Sequence, residues 1–202
     1  MTKPMLIGVT GSIGMGKSTT ATIFAEHGVP VWDADAAVHR LYAPGGTAVA
    51  PLAARRPEAR GRHGGVDRAA LKAWIAKDDA AFAQIERIVH PLVAADRAQF
   101  VANTTAPVIA LDIPLLFETG ADQSVDFTVV VSTDAATQRA RVLAREGMTE
   151  EDFERILARQ MPDAEKRQRA DAVVRSDTLE QAKADVLSVL ARINVLLEAR
   201  HA

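Results

Sequence analysis

Met5–Thr10 (MLIGVT) is an apolar run without polar alternation that ends at Gly11, the pattern of a strand buried on both faces. Lys17–His27 (KSTTATIFAEH) then has helical spacing and stops at Gly28, a residue suited to a helix C-terminus. Short apolar runs recur at Val29–Trp32, Pro107–Ile113, Asp126–Ser132 and Asp171–Arg175, with helical stretches between them. Parallel neighbours need a crossover. The alternation therefore predicts an α/β protein with a five-stranded parallel sheet flanked by helices.

Two stretches are too long to be single crossovers. Residues 34–106 hold a Gly/Pro/Arg-rich patch (Tyr42–Gly65), read as an exposed loop in its arginine-rich part, then helical segments near Leu71–Ile75 and Phe82–Ile88. An inserted helical subdomain is expected there. Residues 135–169 are rich in arginine and glutamate, and Thr149 with Asp152 makes a capping-box-like helix start. At the C-terminal end, Leu179, Ala182, Val186, Leu190, Ile193 and Leu197 form one helical stripe expected to pack on the sheet.

The glycines after the first strand carry the chemistry. Gly11-Ser12-Ile13-Gly14-Met15-Gly16-Lys17-Ser18 fits G-x-x-x-x-G-K-[ST] between a strand and a helix, the context this phosphate loop requires. Glycines let the backbone curl so that its N–H groups face phosphate oxygens, and the helix that follows adds the positive end of its dipole. Lys17 is expected to reach the β- and γ-phosphates, Ser18 to offer a hydroxyl to Mg²⁺, and Thr19 to complete the ATP-binding stretch.

Ligands of an open parallel sheet collect beyond the carboxyl ends of its strands. Asp33, after the second strand, could there orient an acceptor hydroxyl, accept its proton, or hold Mg²⁺ through water. In an extended segment Asp35 would share its face; both could instead cap the next helix. Asp112 closes the third strand as a metal-ligand candidate, or as a cap or buried polar contact. Leu115, Leu116 and Phe117 suit a core or the wall of a substrate pocket. His90 reads first as an ordinary surface or core histidine. Arg139, Arg141, Arg145, Arg155 and Arg159 crowd the second long stretch, as a kinase lid would need or as a solvated helix face would show.

Composition narrows the classes. The 202 residues are 48% hydrophobic and 25% charged, ordinary for a chain with a real core. A formal charge of -2 leaves no basic excess, so a nucleic-acid partner is not expected. The absence of cysteine excludes disulfides and thiolate chemistry. Met5–Val9 is too short for a secretory h-region, and no run reaches roughly 18 apolar residues. A soluble, cytoplasmic chain without a membrane partner is expected; its oligomeric state is not legible.

The ordered set of segments resembles the dephospho-coenzyme A kinase family: Ile7–Ser18, Asp33-Ala34-Asp35, Val66–Leu71, Ile88–Val93, Pro114–Glu118, Gln138–Arg145, Arg159–Met161 and Ala170-Asp171. The phosphate loop alone would fit many kinases, whereas the set with His90-Pro91 and Pro114-Leu-Leu-Phe-Glu118 is far more specific. The resemblance implies a nucleoside-monophosphate-kinase-like P-loop fold in one domain, with a CoA-binding helical insertion (about 34–106) and a lid (about 135–169). It implies ATP-dependent phosphorylation of the ribose 3′-hydroxyl of dephospho-CoA, with Mg²⁺, as the last step of coenzyme A biosynthesis. Asp33 then matches the family's base, Lys17 and Ser18 its phosphate and Mg²⁺ contacts, and Arg141 its lid arginine. Asp35, His90, Leu115 and Phe117 fall on the acceptor side. Two segments depart from the family pattern: Arg175-Ser176-Asp177 after the last strand, and the loop Arg55–Gly65. A different small-molecule kinase and a nucleotide-binding regulatory module are the competing readings. A GTPase is disfavoured because no Asn-Lys-x-Asp segment is present.

Overall fold

The computed structural model describes residues 3–201. Five strands, β1 (Met5–Thr10), β2 (Val31–Asp33), β3 (Val108–Asp112), β4 (Phe127–Ser132) and β5 (Ala172–Arg175), form one parallel sheet in the order β2-β3-β1-β4-β5. Val9 pairs with Asp112 on one side of β1, and Thr10 pairs with Val130 on the other. The chain leaves β1 toward β2 and β3, then crosses to β4 on the far side, so β1 is the switch point, beyond whose strand ends open parallel sheets bind their ligands. β2 lies at Val31–Asp33, slightly later than the apolar run suggested.

The chain divides into two compact units, one running to Trp32 and resuming at Thr105, the other Asp33–Thr104. In the first, α1 (Lys17–Glu26) and α9 (Leu179–His201) supply Ile23, Phe24, Ala182, Val186, Val189 and Ile193 to a core with Ile7, Val9, Val129, Val131 and Val174. The C-terminal stripe packs as expected except at its start, where Leu179 is 48% exposed. β1, β3 and β4 are buried along their whole length, which explains why they read as continuous apolar runs. Gly8 has a packing role: a Cβ there would sit 2.9 Å from a Leu116 methyl, so a larger residue would force that buried side chain to shift.

α6 (Ala135–Leu143), α7 (Glu150–Leu157) and α8 (Asp163–Arg169) fill the second long stretch. Asp134 caps α6 through the Thr137 N–H, and Thr149 caps α7 through the Asp152 N–H at 3.1 Å, as its spacing predicted.

The second unit is helical: α2 (Ala34–Tyr42), α3 (Val49–Arg55), α4 (Arg68–Ile75) and α5 (Ala81–Asn103). Its own core joins Leu41, Leu52, Leu71, Trp74, Ile85 and Val89. The patch Tyr42–Gly65 is not simply an exposed loop. It contains α3 and a 3-10 turn at Pro57–Ala59, because Val49 and Leu52 at helical spacing, and Ala59, are drawn into burial. α5 continues through Pro91 despite the donor that proline lacks. Among the described residues no helix is long and apolar enough to cross a membrane.

Candidate active site

The loop between β1 and α1 has the shape its glycines allow. Gly14 adopts φ +78° and Gly16 φ +86°, a region side chains disfavour, and a Cβ on Gly14 would meet Val142 at 2.5 Å. Gly11 lies so near β4 that a Cβ would stand 2.5 Å from the Val131 carbonyl oxygen. Gly16 is the N-cap of α1, where no side chain caps the helix and its first turn has no acidic residue. The opening N–H groups of α1 thus remain donors with a positive dipole end behind them, a ready anion site. Lys17 is half-buried at the first position of α1; Ser18 and Thr19 follow and are exposed. Ser12 and Met15 are buried, while Ile13 and Gly14 are partly exposed.

Several side chains from later in the chain converge on this loop. Gln138 Nε2 donates to the Ile13 carbonyl at 2.8 Å, and the Ile13 N–H donates to Gln160 Oε1 at 3.0 Å. Ser176 Oγ donates to the Met15 carbonyl at 2.7 Å. Arg141 in turn donates to the Ser176 carbonyl at 2.6 Å and to its hydroxyl at 3.2 Å. A Cβ on Gly16 would lie 3.6 Å from Arg141 Nη1, so this guanidinium stands beside the loop. The other arginines of the cluster divide differently. Arg139 pairs with Glu150 and Arg155 with Asp152 on exposed helix faces, while Arg145 and Arg159 are exposed. Arg139 and Arg155 are thus engaged in surface ion pairs.

Asp112 is 6% exposed at the carboxyl end of β3, one strand from the loop. Beyond it, Thr10 Oγ1 donates to the Pro114 carbonyl at 3.0 Å, which fastens the Pro114–Glu118 segment over the end of β1. Leu115 is 40% exposed and Phe117 is buried. Glu118 Oε1 accepts from the Met161 N–H at 2.8 Å and pairs with Lys166 Nζ at 2.8 Å. Burial alone would raise the Glu118 carboxyl, but the Lys166 ammonium and the Met161 N–H outweigh it and hold it below its ordinary value of 4.5.

In the second unit, Asp33 ends β2 and caps α2, its Oδ1 accepting the Ala36 N–H at 2.8 Å. The expected shared face of Asp33 and Asp35 is not formed. The helix begins at Ala34, and Asp35 sits in its first turn, where helical rotation turns it away from the strand direction. Both aspartates are exposed. His90 projects from α5 with its side chain 64% exposed, 3.7 Å from Glu86.

Sequence reasoning did not single out Gln138, Gln160, Ser176 or Lys166. The available signal was indirect: Gln138 and Gln160 lie in two segments that carry the family resemblance, and Ser176 lies in the departure after β5.

Comparisons with known proteins identify the family. The family model for dephospho-CoA kinase matches residues 5–181. A dephospho-CoA kinase of Cereibacter sphaeroides is 55% identical over 197 residues, covering 98% of this chain and all of the relative (100%). The crystal structure of TT1252 from Thermus thermophilus superposes with a TM-score of 0.83 at 34% identity, covering 95% of this chain and 98% of that one. A dephospho-CoA kinase from Campylobacter jejuni shares the fold at a TM-score of 0.66, at 19% identity and with 95% and 98% of the two chains covered. With a model match over most of its length and a relative this similar end to end, the chain belongs to the dephospho-CoA kinase family.

Proposed function

We propose that this chain transfers the γ-phosphoryl group of ATP to the ribose 3′-hydroxyl of dephospho-CoA, giving CoA and ADP, the last step of coenzyme A biosynthesis. The observation that carries the reading is the uncapped N-terminus of α1 behind a glycine loop at the sheet's switch point, in a chain of this family. Such a terminus offers several N–H donors to a polyphosphate at no further cost in rearrangement.

The roles follow from chemistry. The loop Gly11–Gly16 and the first turn of α1 hold the phosphates, and Lys17 neutralises the β,γ end. Asp33 orients the 3′-hydroxyl and takes its proton as the oxygen–phosphorus bond forms and the bond to the β-phosphate oxygen breaks. Its cap bond uses only Oδ1. Arg141 lies over the transferring group and offsets its charge, with guanidinium donors beyond those spent on Ser176. Residues 135–169 form the lid that excludes water, and the helical insertion (about 34–106) holds the CoA moiety. Asp35 and the exposed imidazole of His90, in that insertion, supply polar contacts to the acceptor, and Leu115 and Phe117, in the Pro114–Glu118 segment, supply apolar ones.

Magnesium fits the donor set. Ser18 presents a hydroxyl at the head of α1, and Mg²⁺ in such sites is held mainly by phosphate oxygens and water with one or two protein oxygens. When bound it would neutralise the β- and γ-oxygens. The substrates are small molecules acting in the aqueous phase, consistent with a cytoplasmic enzyme.

An acceptor panel with ATP and Mg²⁺ tests the assignment. ADP should form with dephospho-CoA and stay at background with nucleosides and nucleoside monophosphates. ADP formed from a nucleoside monophosphate but not from dephospho-CoA would overturn it.

A further inference from the structure

A loop with glycines at 11, 14 and 16 has few internal restraints, and its one backbone bond between loop residues runs from the Met15 N–H to the Ser12 carbonyl at 3.1 Å among the described residues. Its shape is instead gripped from outside. The Ile13 carbonyl accepts a hydrogen bond from Gln138, the Met15 carbonyl accepts one from Ser176, and the Ile13 N–H is spent on Gln160. In a trans peptide, the C=O of one residue and the N–H of the next point in opposite directions. Fixing the Ile13 carbonyl toward Gln138 therefore turns the Gly14 N–H the other way. Fixing the Met15 carbonyl toward Ser176 does the same for the Gly16 N–H.

The three bracing side chains are themselves held. Gln138 and Ser176 are each 6% exposed, and Arg141 bonds Ser176 twice. Gln160 precedes Met161, whose N–H is tied to Glu118, and Glu118 is tied to the fully buried Lys166. The braces come from α6, from the α7–α8 connection and from the turn after β5, so the loop is held by three separate elements.

We infer that Gln138, Gln160 and Ser176 are positioning residues for the nucleotide: they aim the Gly14 and Gly16 N–H groups at the phosphates before the nucleotide arrives. A loop already in its binding shape loses less conformational freedom on binding, and that saving appears as nucleotide affinity. The inference rests on the phosphate-loop reading above, and it makes Ser176, a departure from the family pattern, part of the nucleotide site.

ADP binding by calorimetry, without acceptor, tests it on Gln138→Met, Gln160→Met and Ser176→Ala. Each variant should weaken ADP about tenfold, the worth of one buried hydrogen bond. KM for dephospho-CoA should stay within about twofold. Ser176→Thr, which keeps the hydroxyl, and Gln160→Glu, which keeps the acceptor, should retain most of the affinity. Unchanged ADP affinity in all three folded variants would overturn the inference. So would a parallel loss of ADP and acceptor affinity with a lowered Tm, which marks a purely structural role. Because the titration needs no acceptor, it stands apart from the acceptor assignment. Weakened ADP binding in a protein that leaves dephospho-CoA untouched would support the bracing and remove the substrate.

Discussion

The carboxylate of Asp33 accepts the Ala36 N–H at 2.8 Å and so caps α2, whatever else it does. Asparagine caps a helix about as well as aspartate but cannot take a proton, so Asp33→Asn separates the two roles. Stability and ATP affinity should be close to wild type, while kcat falls by about 10²–10⁴, the usual worth of a general base. Denaturation, ATP titration and steady-state rates measure the three quantities. An undiminished kcat would remove Asp33 from the proton-transfer role and leave it as a helix cap.

α8 shows how an element can hide its function in an ordinary-looking sequence. Its run DAEKRQR reads as a solvated face, and Arg167 and Arg169 do face solvent in pairs with Asp163 and Glu165. Lys166, in the same turn, is fully buried against Glu118 and joins α8 to the segment after β3. Removing one partner of a buried ion pair strands the other, so Lys166→Met should cost about 3–5 kcal/mol in urea denaturation. The double variant Glu118→Leu/Lys166→Met should be less destabilised than Lys166→Met, since it leaves no unpaired charge. A loss below about 1 kcal/mol for Lys166→Met would show that the pair behaves like an exposed one. The pH dependence has a fixed sign. The folded-state pKa of Glu118 is depressed, so its contribution is present above the ordinary value of 4.5 and disappears as pH falls through the folded value. Glu118→Gln should therefore flatten the acid side of the stability profile.

At the scale of the whole molecule, the sheet and the phosphate loop were legible because their signals are local. Buried parallel strands read as unbroken apolar runs, and the loop's glycines sit at fixed spacing beside their helix. α3, in the long stretch between β2 and β3, was not legible, because Pro51 and the arginines after it imitate a loop. The braces of the loop were hidden for a different reason. Gln138, Gln160 and Ser176 bond residues 125, 147 and 161 positions away, and no local pattern records a partner at that distance. Asp33 was legible as a strand-end carboxylate; the face it was expected to share with Asp35 fails because the helix starts directly after the strand. What unites these parts is the reaction. Mass spectrometry with ³¹P NMR on the product from dephospho-CoA, ATP and Mg²⁺ tests it most directly. The expected result is one phosphoryl group added at the ribose 3′-oxygen, with one ADP released per CoA formed. An unchanged dephospho-CoA, or a phosphate placed on another hydroxyl, would contradict it.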